Sequence, residues 1–363
     1  MPRNYNALDI PPIVVGSEMR AEMGKFNSLE RRKAEQQVKP DHCLLCGEPQ
    51  TSFCNSHTLP AFCLESIAGN GHVLSIADAI GTNIVESSIG LNRAGTFRLV
   101  CRKCDNEFFK EYESRSSYGR SPTQQILGKI AVKCCLSELA KSRRDSAMYG
   151  NLAEEYPVAR LSVTANARDL SVHDDERNLR KALLAASGGN RTYKLLLFRR
   201  LEYVTPVAFQ TMVTPIVDLE GKLINNLFDP EPTAVVEPLF LCCFPMGDCS
   251  VVISFRHRRT ARFDSFDRQI SSLAEEDKLL VLLKLVLAYS DEVFFAPAIG
   301  NVIRNEAGIG ALCRMNIDSL GVRPRTPNRQ LGLLAIREAA MSKYALKAMP
   351  DIPNLLSPDY SLG

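Results

Sequence analysis

Apolar and polar positions repeat with two different periods along this chain, and the change of period organises it. Over 17–38 a charged segment of good helix formers carries only a sparse apolar stripe (Met19, Met23, Phe26). That pattern predicts a loosely packed helix or arm across residues 1–40. A second helix is announced by Ser121 as N-cap and Pro122 at the first helical position. Ile126, Leu127, Ile130, Ala131 and Cys134 then recur at helical spacing as far as Ala140. A loop is expected near Tyr149 and Gly150, a strand over 157–164, and a helix over 174–186 stopped by Gly188 and Gly189.

The period then shortens. Four apolar runs rich in β-branched and aromatic residues, 195–201, 207–217, 235–244 and 249–255, read as strands. Gly247-Asp248 between the last two predicts a hairpin, and Glu220-Gly221 marks another turn. Ser272-x-x-Glu275 has capping-box spacing and heads the most apolar helix, 276–289, which must lie in a core. Further helices are expected over 301–315 and 328–349, ahead of a Pro-rich tail.

The fold class is therefore α+β with antiparallel strands. The 363 residues call for about two domains. The expected division is an N-terminal arm or helix (1–40), a cysteine-rich metal-binding domain (41–120), and a larger α+β domain (121–363) that senses a signal or binds a partner.

Composition narrows the classes of function. The longest apolar run, 278–289, is interrupted by Lys284 and falls short of the ~18 residues a membrane span needs. No membrane partner is expected. The first 13 residues lack an apolar export core, so a cytoplasmic location is expected. In such a reducing compartment the twelve cysteines serve as metal ligands or core fillers, not as a disulfide framework. The net charge of +3 conceals an excess over 93–144, where 12 Lys or Arg face five acids. That stretch either faces an anion such as nucleic acid or forms a solvated helix surface.

Cys43-x-x-Cys46 and Cys101-x-x-Cys104 each present two thiolates to one ion, and together they predict a closed tetrahedral zinc site. Gly47 gives the first pair the form of a zinc knuckle, in which backbone amides turn toward the sulfurs. A competing set, Cys43, Cys46, Cys54 and His57, leaves the second pair unused. Cys63, Cys134, Cys135, Cys242, Cys243, Cys249 and Cys313 lie in apolar settings and are read as core residues. A zinc held by four thiolates has no open position for water, so any catalysis needs other groups. Drawing the two pairs together brings His57 toward Asp105.

With CxxCG, then Ser56-His57 and Leu59-Pro60, then a strand and CxxC followed by a polar residue, the stretch 41–113 resembles the HNH nucleases, whose ββα-metal motif sits on a zinc-stapled treble clef. Gly95-Thr-Phe-Arg98-Leu-Val-Cys101-Arg-Lys-Cys104-Asp105 is similar to a run in the endonuclease VII-like group, and the His-x-x-Pro spacing to HNH proteins of bacterial antiphage defence. The resemblance implies a metal-dependent endonuclease cleaving DNA phosphodiester bonds. His57 takes the general-base place, Asp105 binds one catalytic divalent ion, commonly Mg, and Glu107 supports that ion. Ser56 stands where the family carries an acidic or histidine ligand, and Asn92 is the nearest candidate for the middle residue of the motif. Arg98, Arg102 and Lys103 would face the nucleic acid. The alternative is a non-catalytic zinc-stapled adaptor that binds nucleic acid or protein, with a protein partner or a second copy of the chain also open. Residues 121–363 show no phosphate-gripping loop, nucleophile elbow or HExxH motif.

Overall fold

A computed structural model describes residues 17–76, 87–156, 159–188, 191–227, 235–320 and 343–362. In chain order the elements begin with α1 (Ser17–Gln37), β1 (Ser56–His57), α2 (Ala61–Ile67), β2 (His72–Ser75), β3 (Ser87–Gly90), β4 (Thr96–Phe97) and α3 (Arg102–Phe108). A helical hairpin follows, α4 (Gln124–Glu155) and α5 (Ala159–Ala186). Strands β5 (Tyr193–Leu201), β6 (Val207–Val213), β7 (Leu239–Pro245) and β8 (Ser250–His257) come next. The chain continues through α6 (Asp264–Ser272), α7 (Glu275–Tyr289), β9 (Val293–Phe295), α8 (Gly300–Asn305) and α9 (Ala307–Leu320). No helix among the described residues is long and apolar enough to cross a membrane.

The architecture is mixed α+β with antiparallel sheets. Seven strands form one sheet in the order β3-β2-β9-β6-β7-β8-β5, and β1 pairs with β4 in a separate two-stranded ribbon. Strands β6 and β7 are buried along their whole length, because both faces of the sheet are covered. Alternation sorts their side chains: Ala208, Met212, Phe240, Cys242 and Phe244 pack with α2, α4 and the cysteine-rich segment. Val207, Phe209, Val213, Leu239, Leu241 and Cys243 pack on the other face with α6, α7 and α9.

The hairpin β2–β3 lies inside the insertion between the two CxxC pairs, yet it belongs to the large sheet. Leu74 and Ser75 pair with Phe295 and Phe294 of β9, so the cysteine-rich segment is spliced into the sheet and not merely tethered to it.

Several expectations are corrected. The helix after Pro122 is capped by the Thr123 hydroxyl, which accepts from the Ile126 amide, and it runs on to Glu155 through Tyr149 and Gly150. The stretch from 159 is helical, not a strand, because α5 packs antiparallel along α4. Ser142 donates to Asp175 and Arg143 pairs with Glu176 across that seam. Where the helices approach most closely, a Cβ on Gly128 would sit 2.3 Å from the Ala186 nitrogen. The Ser272 hydroxyl turns back to the Gln269 carbonyl, so α7 starts at Glu275 without a capping box. The helix expected over 301–315 is broken at Glu306 into α8 and α9, and most of the one expected over 328–349 lies outside the described residues. The hairpin at Gly247 and the turn at Gly221 stand as expected, both glycines at positive φ.

Candidate metal centre

The ligand-bearing atoms of Cys43, Cys46, Cys101 and Cys104 all lie within 4.8 Å of one another, and among the described residues this is the one such group of metal-binding side chains. Local structure explains the convergence. Gly47, at φ +74, closes a tight turn in which its amide donates to the Cys43 carbonyl. The second pair opens α3, with Cys101 as N-cap accepting from the Cys104 amide at 3.4 Å. The Cys101 amide in turn donates to the Cys43 sulfur at 3.2 Å, stitching one pair to the other.

The electrostatics suit a cation. Burial pushes the Cys43 thiol up, but amides of Cys101, Cys46 and Leu45 donate to its sulfur and bring it down to about 7. Cys104 is driven the other way, by burial and by the sulfurs beside it. Four thiolates this close repel one another, and a divalent ion resolves the conflict by binding all four. The donor set fits zinc, which would hold the two pairs together and leave no position for water.

Around this cage the expected catalytic residues separate into two groups. Ser56 is fully buried, and its hydroxyl donates to Asp105 Oδ1. His57, the next residue, lies on the other side of the ribbon, half-buried, with Nε2 3.0 Å from the Leu91 carbonyl. A carbonyl only accepts, so Nε2 is the donor in this contact. The Asn92 carbonyl accepts from Asn55 Nδ2 at 2.7 Å, which secures the segment that holds the imidazole. His57 therefore does not meet Asp105. Glu107 is exposed on α3 and joins neither group. The competing ligand set also falls, since Cys54 donates to Asp105 Oδ2 at 3.3 Å and His57 is engaged elsewhere.

Sequence reasoning missed the residue at the centre of the Asp105 cluster. Lys133 of α4 is 1% exposed, and its Nζ lies 2.8 Å from Ser56 Oγ and 3.0 Å from Asp105 Oδ1. Glu113 Oε1 stands 3.7 Å away, and the Phe109 ring centroid 4.2 Å. Burial raises the Asp105 carboxyl, but Lys133 and the bonds from Ser56, Lys133 and Cys54 outweigh it and hold the carboxyl below its ordinary range. The signal was present: a lysine inside the apolar run Ile130-Ala-Val-Lys-Cys-Cys-Leu136 has to find a buried counter-charge.

These residues do not fit a catalytic divalent ion. Both Asp105 oxygens are engaged, Ser56 is inside, and a positive charge already sits 3.0 Å from the carboxylate.

The basic stretch is likewise divided. Lys129, Lys133, Lys141, Arg143 and Arg144 are engaged in ion pairs, and Arg115 lies over the Phe62 ring. Arg93, Arg98, Arg102, Lys103, Lys110 and Arg120 stay exposed with no carboxylate partner among the described residues. Arg98 Nε reaches Asn55 Oδ1 at 3.4 Å, beside the His57 ribbon. No family model, curated protein or solved structure matches the chain.

Proposed function

We propose that the cysteine-rich segment is a zinc-stapled module that binds nucleic acid, DNA in the first instance. One observation carries this reading: Arg93, Arg98, Arg102 and Lys103, in the stretch that pairs with the His57 ribbon and leads into α3, are exposed with no carboxylate partner among the described residues, while Lys129, Lys133, Lys141, Arg143 and Arg144 are held in ion pairs. A treble-clef arrangement, with the ribbon β1–β4 leading into α3 at the second CxxC, is part of the proposal. Phosphate contacts release counterions, so four of them imply a log-log salt slope of about −3.6 on duplex DNA. Fluorescence anisotropy over a salt series measures it. Arg98→Glu with Arg102→Glu should flatten the slope and weaken binding at least tenfold without loss of zinc; unchanged binding by this variant removes the reading.

A second reading, hydrolysis of a phosphodiester with His57 in the general-base role of the HNH enzymes and any divalent ion arriving with the DNA phosphate instead of at Asp105, is favoured by the His57 imidazole. Its Nε2 is anchored on a backbone carbonyl, and its Nδ1 has no hydrogen-bond partner among the described residues. Such a ring can take a proton from water. Incubating plasmid DNA with the protein in Mg, Mn or Ni tests it: nicking that disappears in His57→Ala, with zinc retained, supports hydrolysis. Equal nicking by that variant excludes His57 as the base.

A further inference from the structure

The cluster beneath Ser56 is completed by a cation that belongs to the chain itself. Its walls are a hydroxyl (Ser56), two carboxylates (Asp105 and Glu113) and the face of Phe109, all within 4.2 Å of one nitrogen. Tyr112 and Phe97 add two more rings, with centroids at 5.7 and 5.9 Å. Hard oxygens and aromatic faces arranged in this way are the surroundings that a small cation selects. An ordinary surface ion pair is different, because its partners are solvated when apart and neither needs the other to stay folded. Here the ammonium, carried by α4, is shut in, and the walls come from three separate parts of the chain: β1, β4 and the segment from α3 to Glu113.

We infer that this is a cation-binding site whose occupant is the protein's own Lys133, so that the site excludes divalent ions as long as the lysine is present and accepts a small cation once it is removed. Asp105 and Ser56 stand one residue from Cys104 and His57 respectively, so the resident cation ties the second cysteine pair to the histidine ribbon without an exchangeable ion. Lys133 cannot reach a bound polymer, being 1% exposed; its role is to position the ribbon. This inference is independent of nucleic-acid binding, because the readout is ion occupancy and not DNA.

The test uses the full-length, zinc-loaded chain titrated with Mn(II) and followed by electron paramagnetic resonance. Wild type should show no saturable Mn(II) beyond the zinc cage. Lys133→Ala should acquire about one equivalent, which ethylammonium displaces and which the double variant Lys133→Ala with Asp105→Asn does not bind. Should Lys133→Ala fail to fold in buffer alone, ethylammonium should restore its circular dichroism. Three results would overturn the inference: a wild-type Mn(II) site that Asp105→Asn abolishes, a folded Lys133→Ala that binds no Mn(II), or an unfolded Lys133→Ala that ethylammonium does not rescue.

Discussion

Each sulfur of the cage is placed to share one metal ion, and Cys101 also receives the Cys104 amide. Cys101→Ser should therefore lose the ion, and with it a contribution that in structural zinc sites reaches about 10–16 kcal/mol. Metal analysis should find one zinc per chain in the wild type and well under one in the variant, with loss of cooperative melting. Asp175 offers a second residue-level prediction. Burial between α4 and α5 pushes its carboxyl well above the ordinary range, and the bond from Ser142 only partly offsets this. A raised folded pKa means that its stabilising share is complete below the unfolded value of about 4 and is lost as pH rises through the folded value. Wild type should accordingly lose stability relative to Asp175→Asn between mildly acid and neutral pH in urea unfolding. Parallel curves for the two proteins would disprove it. The cysteine cage was legible from spacing alone, since four thiolates have few alternative uses. The Lys133 cluster was not, because its walls come from separate parts of the chain and no local motif records them.

Among elements, the sequence was most informative where one side-chain period persisted. Strands β5 to β8 lie close to their expected positions, as does the core helix α7. From 159 onward the expected strand is helical because these residues belong to the long helix α5, whose run along α4 overrides the local β preference. Strand β9 is too short, at three residues, to show a period of its own, yet it joins β2 to β6 in the middle of the sheet. The α4–α5 seam makes a direct prediction: Gly128→Ala drives a methyl group into the Ala186 backbone, an overpacking that costs about 1–3 kcal/mol. A drop in melting temperature for Gly128→Ala, with Gly150→Ala near neutral because nothing lies within 4 Å of that position, would verify the seam. The ribbon is fastened to the sheet by a buried polar knot. Tyr112 Oη donates to the Thr58 carbonyl at 2.6 Å, and Gln210 Nε2 of β6 donates to the same oxygen at 2.7 Å. Gln210→Leu leaves that carbonyl and the Tyr112 hydroxyl with one partner fewer, and should cost about 1–3 kcal/mol in chemical unfolding. No change on this substitution would show that the knot carries no weight.

At the scale of the molecule, the division into a cysteine-rich part and a larger sheet follows the sequence but not the packing. Leu59, Phe62 and Tyr118 share a core with Phe240 and Phe244, and the Tyr118 and Phe244 rings meet edge to face at 5.0 Å. A fragment of 121–363 would expose that face and leave β9 without β2. It should melt without a sharp transition in calorimetry, and cooperative unfolding like that of the whole chain would refute the shared core. The splice also constrains assembly on the ribosome. The β2–β3 hairpin emerges early, but the strand that completes its edge, β9, is synthesised only after β5 to β8 and the two further helices α6 and α7. Until then the nascent hairpin presents unpaired amides and carbonyls to its surroundings. The final shape of the cysteine-rich segment is thus decided late in translation, and a chaperone that shields a bare strand edge would act during that interval.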